Sequence, residues 1–540
     1  MRKYKFPEIP KQQLTNFQLK LFLSFSLVTF SVIGSLADLS DGLTSNIPIV
    51  AIQTAQNATI TDEPKVAASM YIIDNGSGKR NSLSEKPNFQ RHEIGIELRG
   101  NSTQSMPKKP YIIEIRDNIG NDLDVAILGM APDNEWILLP AYIDRTQIRT
   151  SLAHHLSRAL GEWSSNSKHC ELVVNSQYMG VYLVIEKIQR TKSRLNLNKL
   201  NPEENAGEGL TGGYIYEVTG FGGDMGENRL LHYPKSYIAT SIQFDYITDY
   251  DNQFRQIMAK AGFSDPVAGY ESMINPASFV DELIVQECMR NSDAYGWSGY
   301  YHKNKNEKLH AGPVWDFDQS SGNSVYLDGA KTTGWIVDYG IDMPFYWRKL
   351  FYEPRFKYEV RKKWEQARLG KFKTENVMAF IDSCANYLGE AQVRNFQKWP
   401  ILGTFTWRET AGYASRNTYQ KEVDYLKNYI RARFAWIDEQ LKTVPVITYS
   451  PITASENEIR IYPNPAHDNI NVEFSSLPLR NNVCFELLDQ TGRTVFSVQN
   501  CIHQQVKSTI ILSPNVSPGI YLYKLTSVGK CLASGKIVIF

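Results

Sequence analysis

With 540 residues, 42% hydrophobic and 21% charged, the chain is long enough for two or more folding units and too apolar to be disordered. Lys plus Arg is 58 and Asp plus Glu is 57, a near-neutral balance that excludes a protein driven onto nucleic acid by bulk charge. The six cysteines include no C-x-x-C pair and no zinc-type Cys/His spacing, so neither a disulfide framework nor a structural zinc site is expected.

Arg2, Lys3, Lys5, Lys11 and Lys20 precede an apolar run, Leu21 to Ala37, that ends in Ser35-Leu36-Ala37 before Asp38. A basic start, a short apolar stretch and a small-residue exit are the parts of a signal peptide, expected over residues 1–37. The run is too short and too interrupted by serine and threonine to be an anchor, and no later segment is expected to span a membrane.

Asn46–Thr54 reads as a buried strand, and Asp74–Asn88 as a loop. Ile94, Ile96 and Leu98, then Tyr111, Ile113 and Ile115, alternate with period two, predicting two strands separated by the break at Pro107–Pro110. Asp144–Leu160 is expected to be helical, with Ile148, Leu152, His155, Leu156 and Ala159 on one face and Asp144 capping the helix that bears Arg149. Leu172–Val174 and Val181–Ile185 flank Asn175-Ser176-Gln177, which predicts a hairpin. Asn275-Pro276 starts an apolar helix that ends near Asn291, and Tyr346–Leu441 is mostly helical in pattern. A Pro/Ser/Thr-rich linker over 443–456 leads to six or seven short β runs within 457–540, the pattern of a small sandwich.

Asn291-Ser292-Asp293 follows the apolar helix on an expected loop, and Leu309–Trp315 leads into Asp316-Phe317-Asp318. Acidic groups converging in a cleft suit Mg²⁺, which favours carboxylate and phosphate oxygens. Trp315 and Phe317 would wall such a cleft from water. Arg99, Lys108 and Lys109 lie between the two early strands as candidate phosphate partners. Strand parity with Tyr111 favours an inward Lys109, and Pro110 keeps Lys108 in play. Glu186 ends a run that is apolar on both faces, where a carboxylate needs a partner; a Lys–Glu pair would satisfy both. The order Lys, Glu, Asp, Asp follows the logic of phosphoryl transfer, although H-R-D, D-F-G and G-x-x-x-x-G-K-[ST] are all missing. Gly220-Phe221-Gly222-Gly223 fits no phosphate-loop template.

Two resemblances follow. Ile96-Glu97-Leu98-Arg99-Gly100-Asn101-Ser102 with Pro107-Lys108-Lys109-Pro110-Tyr111, Ala141-Tyr142-Ile143-Asp144, Gln177-Tyr178-Met179-Gly180-Val181-Tyr182 with Glu186-Lys187-Ile188, Asn291-Ser292-Asp293 and Pro313-Val314-Trp315-Asp316-Phe317-Asp318 resemble the CotH (spore-coat protein H) kinase family. Ile461-Tyr462-Pro463-Asn464-Pro465, Leu488-Asp489-Gln490-Thr491-Gly492-Arg493, Ser517-Pro518-Gly519-Ile520-Tyr521 and Lys536-Ile537-Val538-Ile539 resemble the type A sorting domain of the type IX secretion system. The resemblances imply an α+β chain: an atypical protein-kinase-like domain over 38–442 and a small all-β, Ig-like sandwich over 457–540. They also imply export from a Gram-negative cell through the periplasm, handling by the type IX machinery, and a secreted or surface destination.

The implied activity is transfer of phosphate from ATP, with Mg²⁺, to a protein hydroxyl. By resemblance Asp293 is the catalytic aspartate, Asp316 the metal-binding aspartate, Lys108 or Lys109 the phosphate-contacting lysine and Glu186 its partner. Where family members often carry an asparagine five residues after the catalytic aspartate, this chain has Ser298, a weaker neutral ligand, and Asp318 is the candidate substitute. Two other readings stand beside the kinase: a catalytically silent kinase-like surface protein, and a metal-dependent phosphoesterase.

Overall fold

The computed structural model describes residues 42–84, 91–100, 102–220, 225, 229–265, 268–339, 343–446, 459–474, 483–499, 507–513, 516–527 and 530–540. The expected signal peptide, most of the linker, Asn101, the Phe221-Gly222-Gly223 stretch and Cys501 lie outside the described residues. The chain divides into two units, one of residues up to Thr248 with Ala277–Arg348 and Lys362–Leu441, the other of Asp249–Pro276, Lys349–Arg361 and Lys442–Phe540.

Seven strands of the first unit close into a barrel: β1 (Ile49–Thr54), β2 (Val66–Ile73), β3 (His92–Leu98), β4 (Tyr111–Arg116), β5 (Glu135–Leu139), β6 (Ser167–Val174) and β7 (Gln177–Glu186), in the order β1-β2-β3-β4-β5-β7-β6. All neighbours are antiparallel except β1 and β6, whose parallel pairing of Ile49 with Glu171 through Ile52 with Val174 closes the ring. Alternation decides what fills it. Ile94, Ile96, Ile113, Ile115, Leu172 and Val184 point inward, each burial contributing about 1.5–3 kcal/mol. The intervening Ile112, Ile137 and Ile185 face outward and pack against Ile215, Tyr300 and Trp315. The β6–β7 hairpin turns on Asn175 and Ser176, both at positive φ (49° and 61°), the conformation a two-residue turn needs to match strand twist.

A second sheet of this unit runs β9-β8-β10-β11, from β8 (Tyr214–Val218), β9 (Arg229–Tyr233), β10 (Gly299–Lys303) and β11 (Leu309–Ala311). Seven helices occur among the described residues: α1 (Arg149–Leu160), α2 (Ser241–Ala259), α3 (Pro276–Met289), α4 (Phe345–Tyr352), α5 (Pro354–Arg368), α6 (Thr374–Lys398) and α7 (Tyr419–Lys442). Helix α1 is shorter than its apolar pattern suggests, because Gln147 sits at φ 60° and the chain before Arg149 is a turn. Asp144 closes that turn, accepting the N–H of Thr146 (3.1 Å) and of Arg149 (2.9 Å). Ala159, expected on the apolar face, is exposed; Leu152, Ala153, Leu156 and Leu160 are buried.

In the second unit, β12 (Ile459–Tyr462), β13 (Asn469–Phe474) and β16 (Lys507–Ile511) form one sheet in the order β12-β13-β16. The strands β14 (Val483–Leu488), β15 (Thr494–Val498), β17 (Gly519–Ser527) and β18 (Lys530–Ile539) form the other, in the order β15-β14-β17-β18. Ile470, Val472, Phe485, Leu487, Leu525 and Ile537 share one core between them, the sandwich that the β pattern predicts. The five described cysteines are all free.

Buried arginines hold the irregular parts of the first unit. Arg149 pairs with Asp144 at 2.6 Å and donates to the carbonyls of Ser320 (3.0 Å) and Ser321 (3.3 Å), so it fixes the segment that follows Asp318. Replacing Arg149 by alanine leaves Asp144 buried without its cation. The expected loss is about 3–5 kcal/mol of stability, measured by urea unfolding; a loss below about 1 kcal/mol would mean the pair does not anchor this segment.

Candidate functional site

The carboxylates of interest come from two irregular stretches. Asp293 follows α3 on a turn; beyond β11, Asp316 sits in irregular chain at φ 63° and Asp318 on a turn. The Asn291 side chain joins the stretches. Its amide nitrogen donates to the Asp316 carbonyl and to Gln286 Oε1, both at 3.0 Å, and its Oδ1 accepts the Asp293 N–H at 3.3 Å. Ser292 Oγ donates to the Gln319 carbonyl, and Ser321 donates its N–H to Met289. Five non-glycine residues here, Arg290, Tyr295, Ser298, Asp316 and Ser321, have φ between 46° and 66°. Such backbone is held only where the surroundings over-determine it, and it gathers at functional sites.

Asp293 is 8% exposed. Gln319 Nε2 donates to its Oδ2 at 2.6 Å, and Arg408 Nη1 lies 3.9 Å from its Oδ1. Burial, followed by the charge of Asp316, pushes its carboxyl up to about 7, against the opposing pull of Arg408 and Gln319. Asp318 is half-buried, and burial with the charges of Asp316, Asp293 and Asp144 holds its carboxyl well above the ordinary range. Asp316 opens to solvent on one side while protein packs behind it. That packing and the Glu217 charge raise it, while Arg99 and the Ser298 hydroxyl, 3.4 Å from its Oδ2, work the other way. Arg99 is placed by its guanidinium, which lies 5.7 Å over the Trp315 ring.

The expected lysine–glutamate pair is not formed. Lys108 is 1% exposed, and its ammonium donates to the Val181 carbonyl (2.5 Å) and Asn395 Oδ1 (2.9 Å) and sits 4.8 Å over the Tyr182 ring. Burial drives its pKa well below the ordinary lysine range. Gly180 makes room for this arrangement, since a Cβ there would lie 2.6 Å from Asn395 Oδ1. Lys109 donates to the Gln104 carbonyl at 2.6 Å. The parity argument that favoured Lys109 fails because β4 begins only at Tyr111, so extended alternation does not reach back past Pro110. Glu186 accepts the N–H of Asn166 (2.8 Å) and its side-chain amide (3.2 Å), and its Oε1 has no hydrogen-bond partner among the described residues.

The structure thus brings together Asp293, Asp316, Asp318, Ser298 and Arg99, and keeps Lys108, Lys109 and Glu186 in other company. It adds Gln319, Arg408 and Glu217. Gln319 directly follows Asp318, and that adjacency is the one sequence signal for it; Arg408 and Glu217 arrive from distant segments. Among the described residues, no three His, Cys, Asp or Glu side chains are gathered as a ready metal cage.

This is a carboxylate-centred site on a mixed α/β domain, in a chain that also carries an all-β module at its C-terminal end. A family model described as CotH kinase protein matches residues 96–437, and one described as secretion system C-terminal sorting domain matches residues 460–540. The chain belongs to the CotH kinase protein family. Its type IX sorting domain marks it as a secreted or cell-surface protein, and among the described residues no helix is long and apolar enough to cross a membrane. No curated protein matches the chain. Among solved structures, Pseudomonas fluorescens alkylpurine DNA glycosylase AlkC, bound to DNA containing an abasic site analog, aligns with 36% of this chain and 63% of that one at 10% identity. Its TM-score of 0.11 carries no argument about fold or function.

The raised Asp293 fixes the sign of a pH effect. Between the unfolded value of about 4 and the folded value of about 7 the folded chain binds the extra proton, so stability falls as pH rises through that window. Asp293→Asn removes this term. Urea unfolding at pH 5 and pH 8 should show the wild type losing stability relative to the variant, by up to a few kcal/mol; parallel behaviour would contradict the raised carboxyl.

Proposed function

We propose that the protein is an exported kinase that transfers the terminal phosphate of ATP, with Mg²⁺, to a protein hydroxyl. The observation that carries this reading is the grouping of three carboxylates, in which the Asp316 charge raises both Asp293 and Asp318 while Arg99 draws Asp316 down. Carboxylates in that state fit a hard divalent cation, and with no preassembled cage the expected ligands are Asp316 and Asp318 together with phosphate oxygens, with Ser298 at the rim. When bound, Mg²⁺ supplies charge neutralisation on the phosphates.

The remaining chemistry falls to the chain itself. Asp293 accepts the proton of the acceptor hydroxyl as that oxygen bonds to the terminal phosphorus. The bond from phosphorus to the ADP oxygen breaks, and ADP leaves. A carboxyl raised by burial and by the Asp316 charge suits this role, since it is a stronger base than an ordinary aspartate. Arg99, stacked on Trp315, takes the phosphate-binding part that Lys108 and Lys109 were expected to fill. On this reading an N-terminal signal peptide and the type IX machinery carry the protein through the periplasm and across the outer membrane of a Gram-negative cell.

A second reading, a kinase-like surface protein without catalysis, draws support from one observation: Lys108 is sealed against Val181 and Asn395, and Glu186 is occupied by Asn166. The full chain incubated with Mg²⁺ and labelled ATP distinguishes the two. The kinase reading expects phosphate incorporation that falls about 10²–10⁴-fold in Asp293→Ala and is lost in Asp316→Ala. Absence of incorporation, with an ATP- and Mg²⁺-dependent thermal shift that Asp316→Ala removes, supports the silent protein. No response to nucleotide overturns both.

A further inference from the structure

Arg408 lies on the connection between α6 and α7, and its guanidinium is held between two rings, 4.3 Å over Trp407 and 4.7 Å over Tyr326. Its backbone is fixed as well, at φ 50° with its carbonyl accepting the Val325 N–H at 2.9 Å. From this seat Nη1 donates to Gln319 Oε1 at 3.1 Å, and the buried Ser324 hydroxyl donates to the same oxygen at 3.3 Å. An arginine can only donate, so the atom it meets is the amide oxygen, and the Gln319 amide has one orientation. Its nitrogen is thereby turned to Asp293, where Nε2 donates to Oδ2 at 2.6 Å. The other carboxylate oxygen is left open. Asp293 Oδ1 makes no hydrogen bond among the described residues, is not sealed from solvent, and stands 3.9 Å from Arg408 Nη1, beyond hydrogen-bond reach.

We infer that Gln319 and Arg408 are positioning residues that present Oδ1 of Asp293 to the acceptor hydroxyl. The inference rests on the kinase reading, which makes Asp293 the base. In the transfer step the hydroxyl proton moves to Oδ1 while the hydroxyl oxygen bonds to phosphorus and the ADP oxygen leaves. A carboxylate free to turn would offer either oxygen in many directions. Gln319 removes that freedom by taking Oδ2, and Arg408 keeps the amide from flipping. The contacts of Arg408 differ from those of the arginines that tie down backbone. Arg149 and Arg433 donate to carbonyl groups, whereas Arg408 donates to no carbonyl among the described residues and its side chain stays 35% exposed. Its partner is the side chain that grips the base.

The test uses the full chain with Mg²⁺ and labelled ATP, following incorporation into the chain itself as ATP is varied, with thermal melting as the check on folding. Arg408→Ala and Gln319→Leu are expected to lower the maximal rate by about 10- to 100-fold with the KM for ATP unchanged, since a misaimed base costs rate and leaves nucleotide binding alone. Arg408→Lys keeps a donor to Gln319 and should recover part of the rate, and free guanidinium ion should raise the rate of Arg408→Ala severalfold. If Gln319→Leu does not fold, the two Arg408 variants and the guanidinium rescue decide. Wild-type rates in Arg408→Ala and Gln319→Leu, beside a rate that falls in Asp293→Ala, overturn the inference and leave the kinase reading standing. A raised KM at an unchanged maximal rate places Arg408 on the nucleotide and equally overturns the inference. No incorporation by the wild type overturns both.

Discussion

The Asn291 side chain couples the two halves of the site. Its amide reaches back to Gln286 on α3 and forward to the Asp316 carbonyl, and its oxygen receives the Asp293 N–H. Neither Asp293 nor Asp316 lies in a helix or strand, so neither has a regular ladder to fix its backbone. A buried amide that satisfies three groups does that work. It can do so only because both of its polar atoms find partners, since a half-satisfied buried amide would destabilise the turn it now orders.

Around that link, buried arginines stand in for missing secondary structure. Arg149 holds the Ser320 and Ser321 carbonyls, Arg290 and Arg433 both hold the Gly334 carbonyl, and Arg145 forms a two-pronged pair with Glu409 while donating to the Ile401 and Thr404 carbonyls. Irregular backbone under cover leaves carbonyl groups without ladder partners, and a guanidinium with five donors can satisfy several at once. The arrangement explains how a long stretch with little helix or strand keeps residues at positive φ in place. The backbone that carries the carboxylates is therefore tied down by side chains where ladders are missing.

Much of the scaffold was legible in the sequence. Period-two alternation in Ile94–Leu98 and Tyr111–Ile115 placed β3 and β4, Asn175-Ser176 placed the hairpin turn, Pro276 started α3, and the short β runs after residue 457 placed the sandwich. Barrel closure was not legible, because it depends on parallel pairing between Ile49–Ile52 and Glu171–Val174, segments with no local signal for each other. The carboxylates were legible because they lie in compact motifs. Their partners were not. Lys108 turned into the core where Pro110 ends the alternation, Glu186 met Asn166, and Arg408 and Glu217 act on the carboxylates from separate elements. Sequence periodicity reports which face a side chain takes, and says little about which distant polar group it meets there.

On the kinase reading, Asp316 and Arg99 frame a nucleotide's phosphates while Asp293 faces the acceptor. A crystal structure of the full chain with Mg²⁺ and a non-hydrolysable ATP analogue is the decisive test. The expected result is a cation bonded to Asp316, the terminal phosphate beside Arg99, and the Asp293 carboxylate on the far side of that phosphate from its leaving oxygen. A nucleotide bound elsewhere, or phosphates with no contact to Asp316, would contradict it.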